Sequence, residues 1–163
     1  MDRLIYKVGS LFDAPKSAFL LHSCNCIGSF GAGVAKSFKT LYPDLYFQYN
    51  KYCNKNLKNQ KRSPLVGQSF IAIDSETQTK MICLFTSQGY GSLVDSEKMI
   101  VDATAKALAH LSINVLMVND KVEIHSPKVN SGLFGVSWTK TESKIKDFLS
   151  KHPNITWTVW TLE

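Results

Sequence analysis

The residues with chemistry to offer are concentrated between Phe19 and Lys39, in the stretch FLLHSCNCIGSFGAGVAKSFK. His22, Cys24, Asn25 and Cys26 are followed by Gly28, Gly31 and Gly33, and then by a segment that reads as a helix opening at Gly31. A glycine-rich turn between a strand and a helix exposes backbone N–H groups that have no intrahelical partner. It also aims the positive end of the helix dipole at the same point. Such a turn suits an anion, and a phosphate above all. On the glycines alone, the alternative is a plain tight strand-to-helix turn.

Known phosphate chemistries narrow the reading. Gly28 and Gly33 have the Walker A spacing, but Val34 stands where that loop needs its Lys, and Lys36 comes two residues late. Two residues are about 200° of helix rotation, so this Lys does not reach the same phosphates. The dinucleotide pattern fits Gly31 and Gly33 but meets Lys36 at its third glycine. A thiolate phosphatase needs an Arg six residues after its Cys; Phe30 and Ala32 occupy those places after Cys24 and Cys26. The carboxylate clusters of metal phosphatases are absent from the sequence. Cys24 and Cys26 form a C-x-C pair, and no closed set of ligands at short spacing accompanies them, so neither a metal nor another cofactor is expected. The four cysteines, Cys24, Cys26, Cys53 and Cys83, are expected as buried thiols.

Around this stretch the chain has the composition of an ordinary globule, with 163 residues, 44% hydrophobic and 20% charged. Residues 1–163 are expected to form one domain. No apolar run reaches membrane-span length, so no membrane partner is expected. The N-terminal MDRLIYKVGS carries no apolar leader, and an intracellular protein, cytoplasmic or nuclear, is expected. The net charge of +6 includes Lys51, Lys55, Lys58, Lys61 and Arg62 in one polar segment. That segment reads as a solvated helix end and loop; the sharper alternative is a basic rim for a polyanion or RNA.

The elements that must position these residues follow from periodicity. Strands are expected at 4–8, 18–24, 67–73, 80–86, 122–125 and 155–162, with a further short apolar segment at 113–118. Helices are expected at 31–41, from Pro43 onward, at 97–111 capped by Ser96, and from Ser137 or Thr139 to about Lys151. Met99, Ile100, Ala103, Ala107, Leu108 and Leu111 are assigned to the apolar face of the third helix. The alternation implies an α/β fold, a three-layer α/β/α sandwich with a mixed central sheet. A second small-residue loop, Asn130-Ser131-Gly132-Leu133-Phe134-Gly135, follows the strand at 122–125. Two such loops beyond strand carboxyl ends would clamp a diphosphate through N–H groups.

Across nearly its whole length the sequence resembles the macrodomain family, the ADP-ribose-binding α/β/α module. Gly9-Ser10-Leu11-Phe12 is similar to the family's Gly-Asp-Leu/Ile turn. Asn25 with Gly31-Ala32-Gly33-Val34-Ala35 is similar to its first loop, and Ser131-Gly132-Leu133-Phe134-Gly135 to its second. The ending Thr158-Val159-Trp160-Thr161-Leu162 resembles the branch of fungal ADP-ribose 1″-phosphate phosphatases and terminal ADP-ribose–protein glycohydrolases. His22-Ser23-Cys24-Asn25-Cys26 and Leu84-Phe85-Thr86-Ser87 resemble the phosphatases most.

The resemblance implies hydrolysis of ADP-ribose 1″-phosphate, a by-product of tRNA splicing, to ADP-ribose and phosphate. It implies ligand contacts from Ser10, Leu11, Asn25, Gly31, Ala32, Gly33, Val34, Ser131, Gly132, Leu133, Phe134 and Gly135. Asn25 is placed at the distal ribose with Phe134 beside it. Asn25 and His22 are the expected catalytic pair, His22 as general acid or water orienter. The alternatives are an Asx turn for Asn25 and a buried strand histidine for His22. Ser10 replaces the family's adenine-binding Asp, and Ser87 and Phe134 replace the Lys and Asp of the glycohydrolases, which disfavours that mechanism. Other readings are a non-catalytic reader of ADP-ribose or ADP-ribosylated proteins, and an ADP-ribosyl-carboxylate ester hydrolase. A monomer without direct nucleic-acid binding is expected.

Overall fold

The computed structural model describes residues 3–57, 62–114 and 120–162. Six strands form one sheet in the order β1 (Leu4–Val8), β6 (Ile155–Thr161), β5 (Val122–Ser126), β2 (Phe19–Asn25), β4 (Lys80–Ser87), β3 (Ser69–Ile73). All neighbours are parallel except β3, which pairs antiparallel with β4 as a hairpin. The sheet is therefore mixed, and the chain belongs to the α/β class.

The central strands read as continuous apolar runs because both their faces are covered. On β2 and β4, Leu21, Ile82 and Leu84 point to one face, where they meet Ala107, Leu108 and Leu111 of α3 (Glu97–Asn114) and Ile145, Phe148 and Leu149 of α4 (Trp138–Ser150). Leu20, Cys24, Met81, Cys83 and Phe85 point to the other. There they meet Phe38 of α1 (Gly33–Leu41) and Leu45, Tyr49 and Cys53 of α2 (Pro43–Leu57). The first core is mainly aliphatic, with Trp157 as its largest fully buried side chain. The second is built of stacked aromatic rings and thiols, and all four cysteines are free and buried.

Three expectations shift. Helix α1 starts at Gly33 rather than Gly31, because Ala32 is fully extended (φ −157°, ψ 165°) and Gly33 takes φ +61°. Met99 is 44% exposed rather than in the core, since it lies about 100° round α3 from Ile100. Ile113 continues α3, and the remainder of the apolar segment to Val118 lies outside the described residues. Lys58 and Lys61 of the basic segment also lie outside them, while Lys51 and Lys55 belong to α2.

Candidate functional site

Strands β2 and β5 are adjacent and parallel, so the loops that leave their carboxyl ends face each other. A cavity of about 500 Å³ lies between them. Its walls include Asn25, Phe30 and residues 31–35 from the first loop, Lys128, Asn130 and residues 132–134 from the second, and Tyr90 from the loop after β4. Among its described lining residues Lys128 is the one Lys or Arg, and none is an Asp or Glu.

The first loop is shaped by Asn25, at a β-bulge where the β2–β4 register shifts. Its Oδ1 accepts from the N–H groups of Ile27 (3.1 Å) and Ser29 (3.3 Å), and its Nδ2 donates to the Ser29 carbonyl at 2.8 Å. The Tyr49 hydroxyl lies 2.8 Å from both the Asn25 Oδ1 and the Asn25 carbonyl. The Gly28 carbonyl accepts from Tyr46 and Asn50. A side chain at Gly28 would meet the Asn50 amide at 2.8 Å, and its φ of +82° also favours glycine. Beyond this turn the N–H groups of Gly31, Ala32, Gly33 and Val34 have no acceptor among the described residues. They stand at the N-terminus of α1, as an anion site requires.

The second loop is shaped by Asn130, which is buried and holds φ +67°. Asn is among the few residues that adopt this left-handed conformation readily. Its Oδ1 accepts from Thr86 (2.8 Å), and its Nδ2 donates to Thr104 (2.8 Å) and Thr141 (3.3 Å). Its own N–H reaches the Ser23 hydroxyl at 3.1 Å, and its carbonyl receives the Val136 N–H at 2.9 Å. The N–H groups of Gly132, Leu133 and Phe134 are left without acceptors among the described residues.

Several expected contacts are rearranged. Ser131 and Gly135 do not line the cavity, because their N–H groups close the loop on the Lys128 and Gly132 carbonyls. Ser10 and Leu11 do not line it either. The Ser10 hydroxyl accepts from the Phe12 N–H at 3.2 Å to cap a short 3-10 turn, and Leu11 is buried in the aromatic core. Asn25 does line the cavity, but its amide is used in the Asx-type turn, so it positions the loop rather than acting as a free catalytic group.

His22 is corrected as a general acid. Its ring stacks on Phe38 at 4.4 Å and meets Phe30 edge-on at 4.9 Å, and burial lowers its pKa to about 3. A neutral imidazole keeps one N–H but is far too weak an acid to protonate a leaving group at neutral pH. Its Nε2 lies 3.4 Å from the Cys24 Sγ and 3.9 Å from the Cys83 Sγ. These three residues form the one His/Cys/Asp/Glu group with metal-compatible spacing found among the described residues. Burial beside Cys83 raises the Cys24 thiol well above its usual pKa, so in this state it is no nucleophile.

Ser87 is buried and bonded to the Gly89 carbonyl (2.7 Å) and the Asp95 N–H (3.0 Å). Asp95 also accepts from the Gln88 N–H and forms a bidentate pair with Arg62, which anchors the loop carrying Tyr90. The sequence places Asn130 in the second loop without a role for its side chain, and it assigns neither Lys128 nor Tyr90 to the site. The signal for Asn130 was present, since an Asn precedes the small residues of both loops.

A family model described as "Macro domain" matches residues 21–145. The chain is 35% identical over 167 aligned positions to the ADP-ribose 1″-phosphate phosphatase of Meyerozyma guilliermondii, covering 90% of this chain and 94% of that one. It is 35% identical over 160 positions to the protein of the same name from Candida albicans, covering 92% and 96%. Among solved structures, the macrodomain of Mycobacterium tuberculosis DarG superposes with a TM-score of 0.77 at 21% identity, over 96% of both chains.

Proposed function

The chain belongs to the macrodomain family, and from that premise we propose that it hydrolyses ADP-ribose 1″-phosphate to ADP-ribose and inorganic phosphate. The observation that carries this reading is the pair of facing loops with acceptor-free N–H groups, 31–34 and 132–134, in a chain 35% identical to phosphatases of that name. The diphosphate lies between the loops and is held by backbone donors and the α1 dipole. Phe134, which lines the cavity, packs beside the distal ribose, and Lys128 offsets the added charge of the 1″-phosphate.

In the reaction, water oxygen bonds to phosphorus, the bond from phosphorus to the 1″ oxygen breaks, and a proton passes to that oxygen. With no carboxylate in the lining and His22 neutral, acceleration comes from positioning and preorganised N–H dipoles. Slow turnover and strong product binding follow from this. The same lining suits a reader that binds ADP-ribose without chemistry, and one assay separates the two. Phosphate release from ADP-ribose 1″-phosphate is measured for wild type and Gly33→Val, which forces a β-branched residue into φ +61°. Release by wild type that falls with ADP-ribose affinity in the variant is the expected result. Binding of ADP-ribose by wild type without phosphate release would replace the enzyme with a reader.

A further inference from the structure

We propose that His22, Cys24 and Cys83 form a binding site for one zinc ion beneath the first loop. His22 and Cys83 are direct partners in the β2–β4 register, and Cys24 is two residues further along β2. Alternation along a strand therefore sends all three side chains to the same face of the sheet. There, among the described residues, the His22 Nε2 has two neighbours within hydrogen-bonding range, both sulfur atoms, at 3.4 and 3.9 Å. All three donor atoms lie within 4.8 Å of one another, and all three residues are buried.

A thiol is a weak partner for a buried imidazole nitrogen, so as a polar network the arrangement is poor. As a ligand set it is good. With bonds of about 2.05 Å to nitrogen and about 2.3 Å to sulfur, the two N···S separations correspond to N–Zn–S angles of about 103° and about 127°, either side of tetrahedral and trigonal values. The stacked Phe38 and edge-on Phe30 hold the imidazole in place. Both His22 and Cys24 line the cavity, which provides an entry route and a water for the fourth position.

Two thiolates, a neutral imidazole and one Zn²⁺ give an uncharged site, which apolar surroundings favour; a cuprous ion would leave a net negative charge there. Binding breaks two S–H bonds, forms two Zn–S bonds and releases two protons to the buffer.

The test uses the full chain, dialysed against chelator and titrated with zinc and, separately, with cobalt. The expected result is one zinc per chain, two protons released per ion in weakly buffered solution, and a cobalt spectrum with thiolate charge-transfer bands in the near ultraviolet and intense tetrahedral bands in the visible. Cys24→Ala and Cys83→Ala weaken zinc binding by at least about 100-fold, while Cys26→Ala and Cys53→Ala leave it within a factor of two or so of wild type. Absence of zinc binding by the folded wild type overturns the proposal, as does a cobalt spectrum without thiolate bands. Equal loss on replacing Cys53 or Cys26 overturns the assignment to these three residues. The wild-type spectrum decides the matter even where a variant fails to fold, and none of these readouts depends on phosphatase activity.

Discussion

The two loops that face each other across the cavity do the same task by different means. Each is pinned by an asparagine and presents a row of N–H groups with no acceptor among the described residues. Asn25 is satisfied largely by its own loop, through Ile27 and Ser29, with Tyr49 of α2 as the distant partner. The Asn130 side chain bonds instead to threonines on three elements, Thr86 of β4, Thr104 of α3 and Thr141 of α4. The first loop is a local turn braced from outside. The second is tied into the packing of β4, α3 and α4. Damage to the second should therefore register as lost stability, and damage to the first as lost function.

The largest expected effect is that of Asn130→Ala. It removes the Asn130 side-chain bonds to three threonine hydroxyls, of which Thr104 keeps its bond to the Ile100 carbonyl, and puts a Cβ residue without a polar side chain at φ +67°. A loss of about 3 kcal/mol in chemical denaturation is expected; a loss below about 1 kcal/mol would erase the contrast between the loops.

Asn25→Ala is expected to cost about 1–2 kcal/mol of stability but to lower kcat/KM for phosphate release about 100-fold, because the donor row moves. Near-normal kcat/KM with a large drop in melting temperature would reverse the assignment of roles.

Acid provides a third probe, from the strand that leads into the second loop. His125 of β5 is buried; its Nδ1 accepts from the Trp160 indole at 2.9 Å and its Nε2 lies 3.4 Å from Glu123. Burial lowers its pKa and Lys7 adds to this, while Glu123 opposes them. A histidine with a lowered folded pKa binds its proton more readily when unfolded, so its contribution is present above the unfolded value and is lost as pH falls below about 6.5. Denaturation midpoints are expected to decline over that range. His125→Gln should flatten part of the decline, leaving the part due to His22; an unchanged slope would remove His125 from the account.

Smaller effects are expected at the rim. Lys128→Ala should weaken ADP-ribose binding a few-fold and reduce its salt dependence, as titration at two ionic strengths would show. Ser10→Ala removes the cap on the 3-10 turn and should cost about 0.5–1 kcal/mol while leaving ADP-ribose affinity intact. A large affinity loss there would bring Ser10 back into the ligand site.

Strand β2 and its loop were legible in the sequence because the information there is local. A continuous apolar run marks a central strand, and glycines followed by a helical pattern mark the turn into α1. The start of α1 at Gly33 was not legible, since the extension of Ala32 depends on how Asn25 folds the turn before it. That the Ser131 and Gly135 N–H groups are used inside the second loop was not legible for a related reason. A loop must satisfy some of its own N–H groups to hold its shape, and only the folded loop shows which ones are used. His22 was legible as a group that could titrate, yet its burial between Phe30 and Phe38 comes from residues on other elements.

By itself the sequence determined the element order, the mixed α/β sheet and the two glycine-bearing loops, because hydrophobic period, caps and turn residues act over a few positions. Only the tertiary structure decided which N–H groups remain open, that Asn130 is the clamp of the second loop, and that Cys83 stands beside His22 and Cys24. Cys83 is far from them in the chain, and their meeting depends on the β2–β4 register, a long-range pairing that no local pattern encodes.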